Sequence, residues 1–309
     1  MSAGAPAPRD ASRAAGGAGP WVAFAVCCAI WGSTFLFIRI SNDTLPPMWA
    51  ATLRLAPSAA ILALIALVLR RPWPRGAELH AALWFGAVDF GVSLPLVNWG
   101  EREVPSGTAA VMFATVPLTT ALFARMFGLE RLRARQVTAS LAALAGVAVL
   151  AWGAGGQAAG GARWLSLLAV FLSATTAALS GVLLKRAPDS DPLAMNAVAN
   201  LAGLPICLLL GALLGERPVM PRGSGLTSIA FLVVFGSITV FATFAWLLQR
   251  WSVTRTSYIT VVIPVIAVWL GWAVRGERLG LTALVGSAIV IAAVVHGLRP
   301  EPARARSSL

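Results

Sequence analysis

The sequence predicts an all-α integral membrane protein of ten transmembrane helices, arranged as two inverted five-helix repeats. Three observations lead there. Of 309 residues, 58% are hydrophobic and only 12% charged, about half the ~25% charged fraction of a soluble domain. Too little polar side chain remains to cover a water-facing surface, so the apolar surplus must face lipid. Apolar runs long enough to cross a ~30 Å hydrocarbon core as a helix recur along the whole chain. The chain also repeats itself at a fixed offset, with an odd number of runs in each copy.

The expected spans are 21–40, 46–69, 79–99, 105–127, 135–152, 164–185, 192–214, 225–249, 255–274 and 280–297. Their interiors hold Gly and Pro, which helix bundles tolerate because neighbouring helices satisfy the freed backbone groups. Ten-residue segments of alternating polarity are missing, which argues against an outer-membrane barrel. Residues 1–20, rich in Ala, Gly and Pro, read as a disordered cytoplasmic tail, with the first span as an uncleaved anchor. Residues 153–163 read as a linker between repeats 21–152 and 164–297, and 298–309 as a second cytoplasmic tail.

The net charge of +12 does not indicate nucleic acid as a partner. The basic residues form no patch and fall in short loops. With the N-terminus inside, 16 Lys and Arg lie in inner segments and 7 in outer ones, with Arg54 within a span. That asymmetry is the positive-inside rule, and it places both termini in the cytoplasm. Cys27, Cys28 and Cys207 all lie in expected spans, and an odd number of membrane-buried thiols is no disulfide framework. One lysine, Lys185, against 23 arginines suggests a GC-rich bacterial genome and hence the inner (plasma) membrane.

The internal repeat is the most informative feature. Trp99, Pro117 and Glu130-Arg131-Leu132 recur as Trp246, Pro264 and Glu277-Arg278-Leu279, each 147 residues later. At the same offset Arg39 meets Arg186 and Ser33 meets Ser180; Pro46 meets Pro192 after a one-residue slip. Five spans per copy would turn the second copy upside down in the bilayer. Inverted repeats are a transporter architecture, with a site near the midplane and alternating access by rocking of the halves.

Ten spans as five plus five, Trp31-Gly32-Ser33-Thr34-Phe35 in the first, Arg54 in the second and two Pro-then-Glu helices resemble the drug/metabolite transporter superfamily. The likeness is to its EamA-type ten-helix branch, over roughly residues 21 to 297. It implies a bundle around a central substrate cavity, moving amino acids, metabolites or drugs. The related four-helix exporters couple to protons through a first-helix glutamate. The first span here holds no acid, so that route of proton coupling does not carry over. The expected partners are a small-molecule substrate and the lipid bilayer. Protons are the candidate coupling ion, and a homodimer is compatible with the sequence.

An ionisable residue inside a span is expensive and by default a functional candidate. Arg54 lies about 12 Å and Asp89 about 15 Å from the outer ends of their helices, at 1.5 Å per residue. Arg54 is a donor for a substrate carboxylate and Asp89 a proton-coupling group or amine partner; alternatively the two form a structural pair. Trp31, Ser33, Thr34, Asn98, Trp99 and Thr115 are candidates for the cavity wall in the first half. Ser180, Asn196, Asn200, Trp246 and Tyr258 are candidates in the second. Trp99 and Trp246 also suit an interfacial anchor. Asn196 and Asn200, four apart, share one helical face. Pro117 and Pro264 each remove a helix hydrogen bond and are candidate hinges.

Other classes fit less well. H-E-x-x-H is absent from a chain with two histidines, and so are G-x-S-x-G and a Walker lysine motif. No cluster has metal-ligand spacing, and no cofactor is expected. The reading is a secondary transporter, an amino-acid or metabolite exporter using alternating access. The alternatives are multidrug efflux and, from another class, an intramembrane enzyme.

Overall fold

The computed structural model describes residues 18–104, 106–153, 161–186, 190–275 and 280–299. Both tails beyond these bounds, most of the expected linker, and all of Glu277-Arg278-Leu279 lie outside the described residues.

Every element among the described residues is helical. In chain order they are α1 (Ala18–Asn42), α2 (Pro47–Val68) and α3 (Ala77–Phe85), the π-helical segment π1 (Gly86–Ser93), then α4 (Leu94–Gly100), α5 (Ser106–Phe113), α6 (Val116–Met126), α7 (Ala134–Gly153) and α8 (Gly161–Lys185). The second half continues with α9 (Pro192–Leu213), α10 (Gly223–Val233), the π-helical segment π2 (Val234–Thr239), α11 (Val240–Arg250), α12 (Val253–Ser257), α13 (Ile259–Arg275) and α14 (Leu281–Leu298). Among the described residues, six helical runs are long and apolar enough to cross a membrane: 18–42, 47–68, 77–100, 164–185, 192–213 and 223–250. Shorter apolar helices cover 134–149, 253–267 and 284–298. The expected span 105–127 is broken at Ala114–Thr115, just ahead of Pro117, whose missing N–H and ring restart the helix as α6. Pro264 by contrast lies within α13.

Helix starts follow local chemistry. Pro192 opens α9 at a position where its absent N–H is no loss, and Asp191 accepts from Leu193 N at 3.0 Å and Ala194 N at 3.2 Å. The start of α2 has a Pro and no side-chain cap of its own. Glu216, from the loop after α9, supplies one, accepting from Met48 N at 3.2 Å and Trp49 N at 2.9 Å.

Helices 147 residues apart in sequence pack as partners. The two most extensive pairings are α7 with α14 and α2 with α9. Around them α1 packs on α13 and α10, and α8 on α4 and α6. The approach of α9 to π1 is unusually close. A Cβ on Gly86 would lie 2.6 Å from Ala199 Cα, and one on Gly203 would lie 2.5 Å from Phe90 Cβ. Ala199 and Gly203, four apart, form the small-xxx-small stripe that lets membrane helices meet backbone to backbone. Large apolar side chains such as Leu67, Val68, Trp164 and Leu213 remain more than 60% exposed, as a lipid-facing surface requires. Cys27, Cys28 and Cys207 are buried free thiols.

Candidate functional site

Both π segments sit at equivalent places in the repeat, since the 147-residue offset carries 86–93 onto 233–240. A π turn breaks the i→i−4 ladder and frees backbone carbonyls. Side chains from elsewhere use them. Arg54, on α2 and only 4% exposed, donates through Nη2 to the carbonyl of Gly236 and through Nε to Ser237 Oγ at 2.7 Å, both on π2. Cys207, on α9, reaches the carbonyl of Phe90 on π1 at 3.3 Å. Asp89, on π1, faces Ser180 of α8, whose Oγ lies 2.8 Å from its Oδ1.

Arg54 and Asp89 therefore each cross from the first half of the chain to the second. No ion pair within 4 Å joins them to one another, although their charges act on each other through space. Both line one central cavity of about 130 Å³. Its walls come from α1, α2, α3, π1, α4, α5, α6, α8, α11, α12 and α13. Aromatic rings dominate the apolar part. Trp31 meets Phe241 and Phe244 edge-on at 5.4 and 5.2 Å, and Phe90 meets Phe241 at 4.6 Å. Hydroxyls of Thr34, Ser93, Thr120, Thr256, Ser257 and Thr260 add polar points. Ser93 and Ser173 exchange reciprocal bonds, each Oγ to the other's carbonyl at 2.9 and 2.7 Å, pinning π1 to α8.

Of the residues singled out in the sequence, Trp31, Thr34, Arg54, Asp89 and Ser180 share this cavity. The others lie outside its lining. Ser33 bonds the carbonyl of Ala29 and Asn98 that of Leu94, each within its own helix, and Thr115, at the break ahead of α6, bonds that of Met112 at the end of α5. Asn196 and Asn200 are fully buried and donate to Pro192 and Asn196 carbonyls, while their Oδ1 atoms accept nothing. Trp246 lies under the Arg250 guanidinium at 3.7 Å, and Trp99 is half-buried on α4. Tyr258 is fully buried and donates to the carbonyl of Gln136 at 3.2 Å, on the far side of α12. Pro117 and Pro264 flank the cavity from the helices that carry Val116 and Ile263.

Sequence reasoning missed the phenylalanines, because a Phe in an apolar span carries no signal that separates cavity from lipid. It also missed Glu101, just beyond α4. That carboxylate is 1% exposed and neither oxygen has a hydrogen-bond partner. Burial raises its pKa well above the usual carboxylate range, and the positive charge of Arg39 opposes the shift.

Buried charges facing one cavity inside a bundle of membrane-length helices define the class as a membrane transporter. The model of the EamA-like transporter family matches residues 19–152 and again 164–296. The chain belongs to that family. It is 32% identical over 270 residues to the uncharacterized inner membrane transporter YedA of Escherichia coli, covering 86% of each chain. It is 28% identical over 266 residues to a probable terminal-alkyne amino-acid exporter of Streptantibioticus cattleyicolor, covering 86% of this chain and 88% of that one. A solved crystal structure of a protein shares the fold, with a TM-score of 0.73 at 21% identity, over 90% of this chain and 95% of the other.

Proposed function

We propose that the chain is a secondary transporter carrying small zwitterionic metabolites, amino acids foremost, out of the cell across a bacterial inner membrane. One observation carries the reading: a buried cation, Arg54, and a buried acid, Asp89, face one cavity without pairing to each other. A zwitterion offers a carboxylate to the first and an ammonium to the second. The cavity, at about 130 Å³, is well below the ~300–1,000 Å³ of drug-sized sites, which favours a small metabolite. The amino-acid exporter among the relatives agrees with it, as does the inner-membrane location in the name of another.

Alternating access follows from two five-span halves in mirrored orientation, ten spans in all. The double family match, the pairing of α2 with α9 and α7 with α14, and the equivalent π segments support this arrangement. Arg54 and Asp89 bond across the halves, so a ligand competing for them would act on the interface that rocks. Proton coupling would run through Asp89, and Pro117 and Pro264 would bend with the halves. Multidrug efflux is the second reading, favoured by the aromatic walls around a single acid.

Purified protein in proteoliposomes, assayed with a radiolabelled amino-acid panel beside a lipophilic cation, tests both. Gradient-driven flux of an amino acid that Asp89→Asn abolishes is the expected result. Flux of the cation alone assigns multidrug efflux, and flux of neither removes the proposal.

A further inference from the structure

A second cavity lies at the other side of α12 from the first. It is larger, about 1040 Å³, and its chemistry is different. The loop between α6 and α7, the loop between α11 and α12, and the end of α14 enclose it, with six arginines against one carboxylate among its lining residues. That carboxylate, Glu130, is already engaged: its Oε1 accepts from Val253 N at 2.6 Å and Thr254 N at 3.4 Å, holding the first turn of α12. The short helix α12 is the wall between the two spaces. Arg255 and Tyr258 face the basic cavity, whereas Val253, Thr256 and Ser257 face the central one.

Retention of positive charge on one side of a membrane explains arginines in loops, but such arginines extend into water. Arg255 does not. Its guanidinium stacks over Trp251 at 3.8 Å and approaches Trp21 at 5.2 Å, and its Nε is buried with no acceptor. A buried donor without an acceptor is unfavourable, and stacking by the ring faces leaves the N–H edge of the fork directed in plane, as bidentate phosphate recognition needs. Arg250 is held likewise over Trp246, with Nη1 on the Trp246 carbonyl at 3.0 Å. Trp21, at the head of α1 and 42% exposed, brings an indole to the rim, the residue type that settles at headgroup level. Basic pockets between transmembrane helices bind anionic headgroups.

We propose that this cavity is a binding site for a phosphate-bearing anion, held by the guanidinium forks of Arg255 and Arg250 at the approach to α12. A phospholipid headgroup and free phosphate offer the same chemistry, and the experiment separates them.

Full-length protein in neutral detergent is titrated with phosphatidylglycerol, phosphatidylcholine and inorganic phosphate, with bound lipid counted by native mass spectrometry and stability read as Tm. Wild type is expected to retain phosphatidylglycerol over phosphatidylcholine, or to gain Tm with phosphate. Arg255→Gln should weaken the effective ligand about tenfold or more, and Arg222→Gln, on an exposed position outside this cavity, should not. Phosphatidylglycerol acting alone identifies a lipid; phosphate displacing it identifies the free anion. Should Arg255→Gln yield no folded protein, Arg250→Gln and Arg299→Gln carry the same comparison. Binding of neither ligand, retained affinity in the cavity variants, or an equal loss in Arg222→Gln overturns the proposal.

Discussion

Arg54 gives the sharpest test of the zwitterion reading. Its Nε is committed to Ser237 Oγ and its Nη2 to the Gly236 carbonyl, which leaves Nη1 as the guanidinium nitrogen with no partner among the described residues. Arg54→Gln keeps an amide N–H for π2 and removes both the charge and that spare donor. A hydrogen bond to a charged partner contributes about 1.5–3 kcal/mol, so losing one to a substrate carboxylate should raise KM roughly 10- to 150-fold. The assay is counterflow in proteoliposomes with a transported amino acid and with the amine of the same side chain, which lacks the carboxylate. Transport of the amino acid should fall by that factor in Arg54→Gln while the amine is handled as by wild type. Arg54→Lys, which keeps the charge without the fork, should fall between. Equal losses for both compounds would show that Arg54 only braces the halves, and unchanged KM for both would remove it from the site.

Three further outcomes follow from the packing and the charges. Gly86→Ala places a methyl against the backbone of Ala199, which cannot yield, and should lower stability in a denaturant titration by about 1–3 kcal/mol; Gly211→Ala, meeting Met48 Cβ at an ordinary 3.4 Å, should stay within about 0.5 kcal/mol. Glu130→Gln removes a carboxylate from the start of α12 and should lower stability by about 0.5–2 kcal/mol, a change that unaltered unfolding curves would contradict. For Glu101 the sign is set by its raised pKa: the folded state holds the proton more tightly than the unfolded, so wild-type stability declines as pH rises from the ordinary glutamate value through the raised one. Glu101→Gln should flatten that decline, with its advantage greatest at high pH and vanishing in acid; parallel Tm profiles would be the opposing result.

The membrane class, the duplication and the family were legible because they rest on bulk apolarity and on spacing, and neither needs a side chain's direction. Arg54 and Asp89 were legible for a related reason: a charge stands out in an apolar run. What spacing could not tell was which face of a helix looks inward. Asn196 and Asn200 share a face, yet each amide bonds a carbonyl one turn back in its own helix, the local alternative always open to short polar side chains. Ser33 does the same, and Thr115 bonds a carbonyl three residues back across the break before α6. Tyr258, at the break after α12, faces the basic cavity instead of the central one. The π segments were invisible as well, because nothing in a run of Gly, Val and Phe distinguishes a wider turn from an ordinary one.

Those wider turns alter how the chain would tolerate change in length. Each accommodates its surplus residue by widening the coil, so that everything after it is already rotated into register with the cavity. Dropping one residue from 86–93 would let an ordinary α-helix close through the site, still apolar and still able to cross the bilayer. The side chains beyond it would keep nearly their direction, because the wide turn takes up its extra residue without adding rotation, and Val97 would stay on the cavity wall. What would close is the backbone ladder, taking back the Phe90 carbonyl that Cys207 reaches; here a deletion is absorbed, whereas one residue lost from an ordinary turn would twist everything beyond it by about 100°.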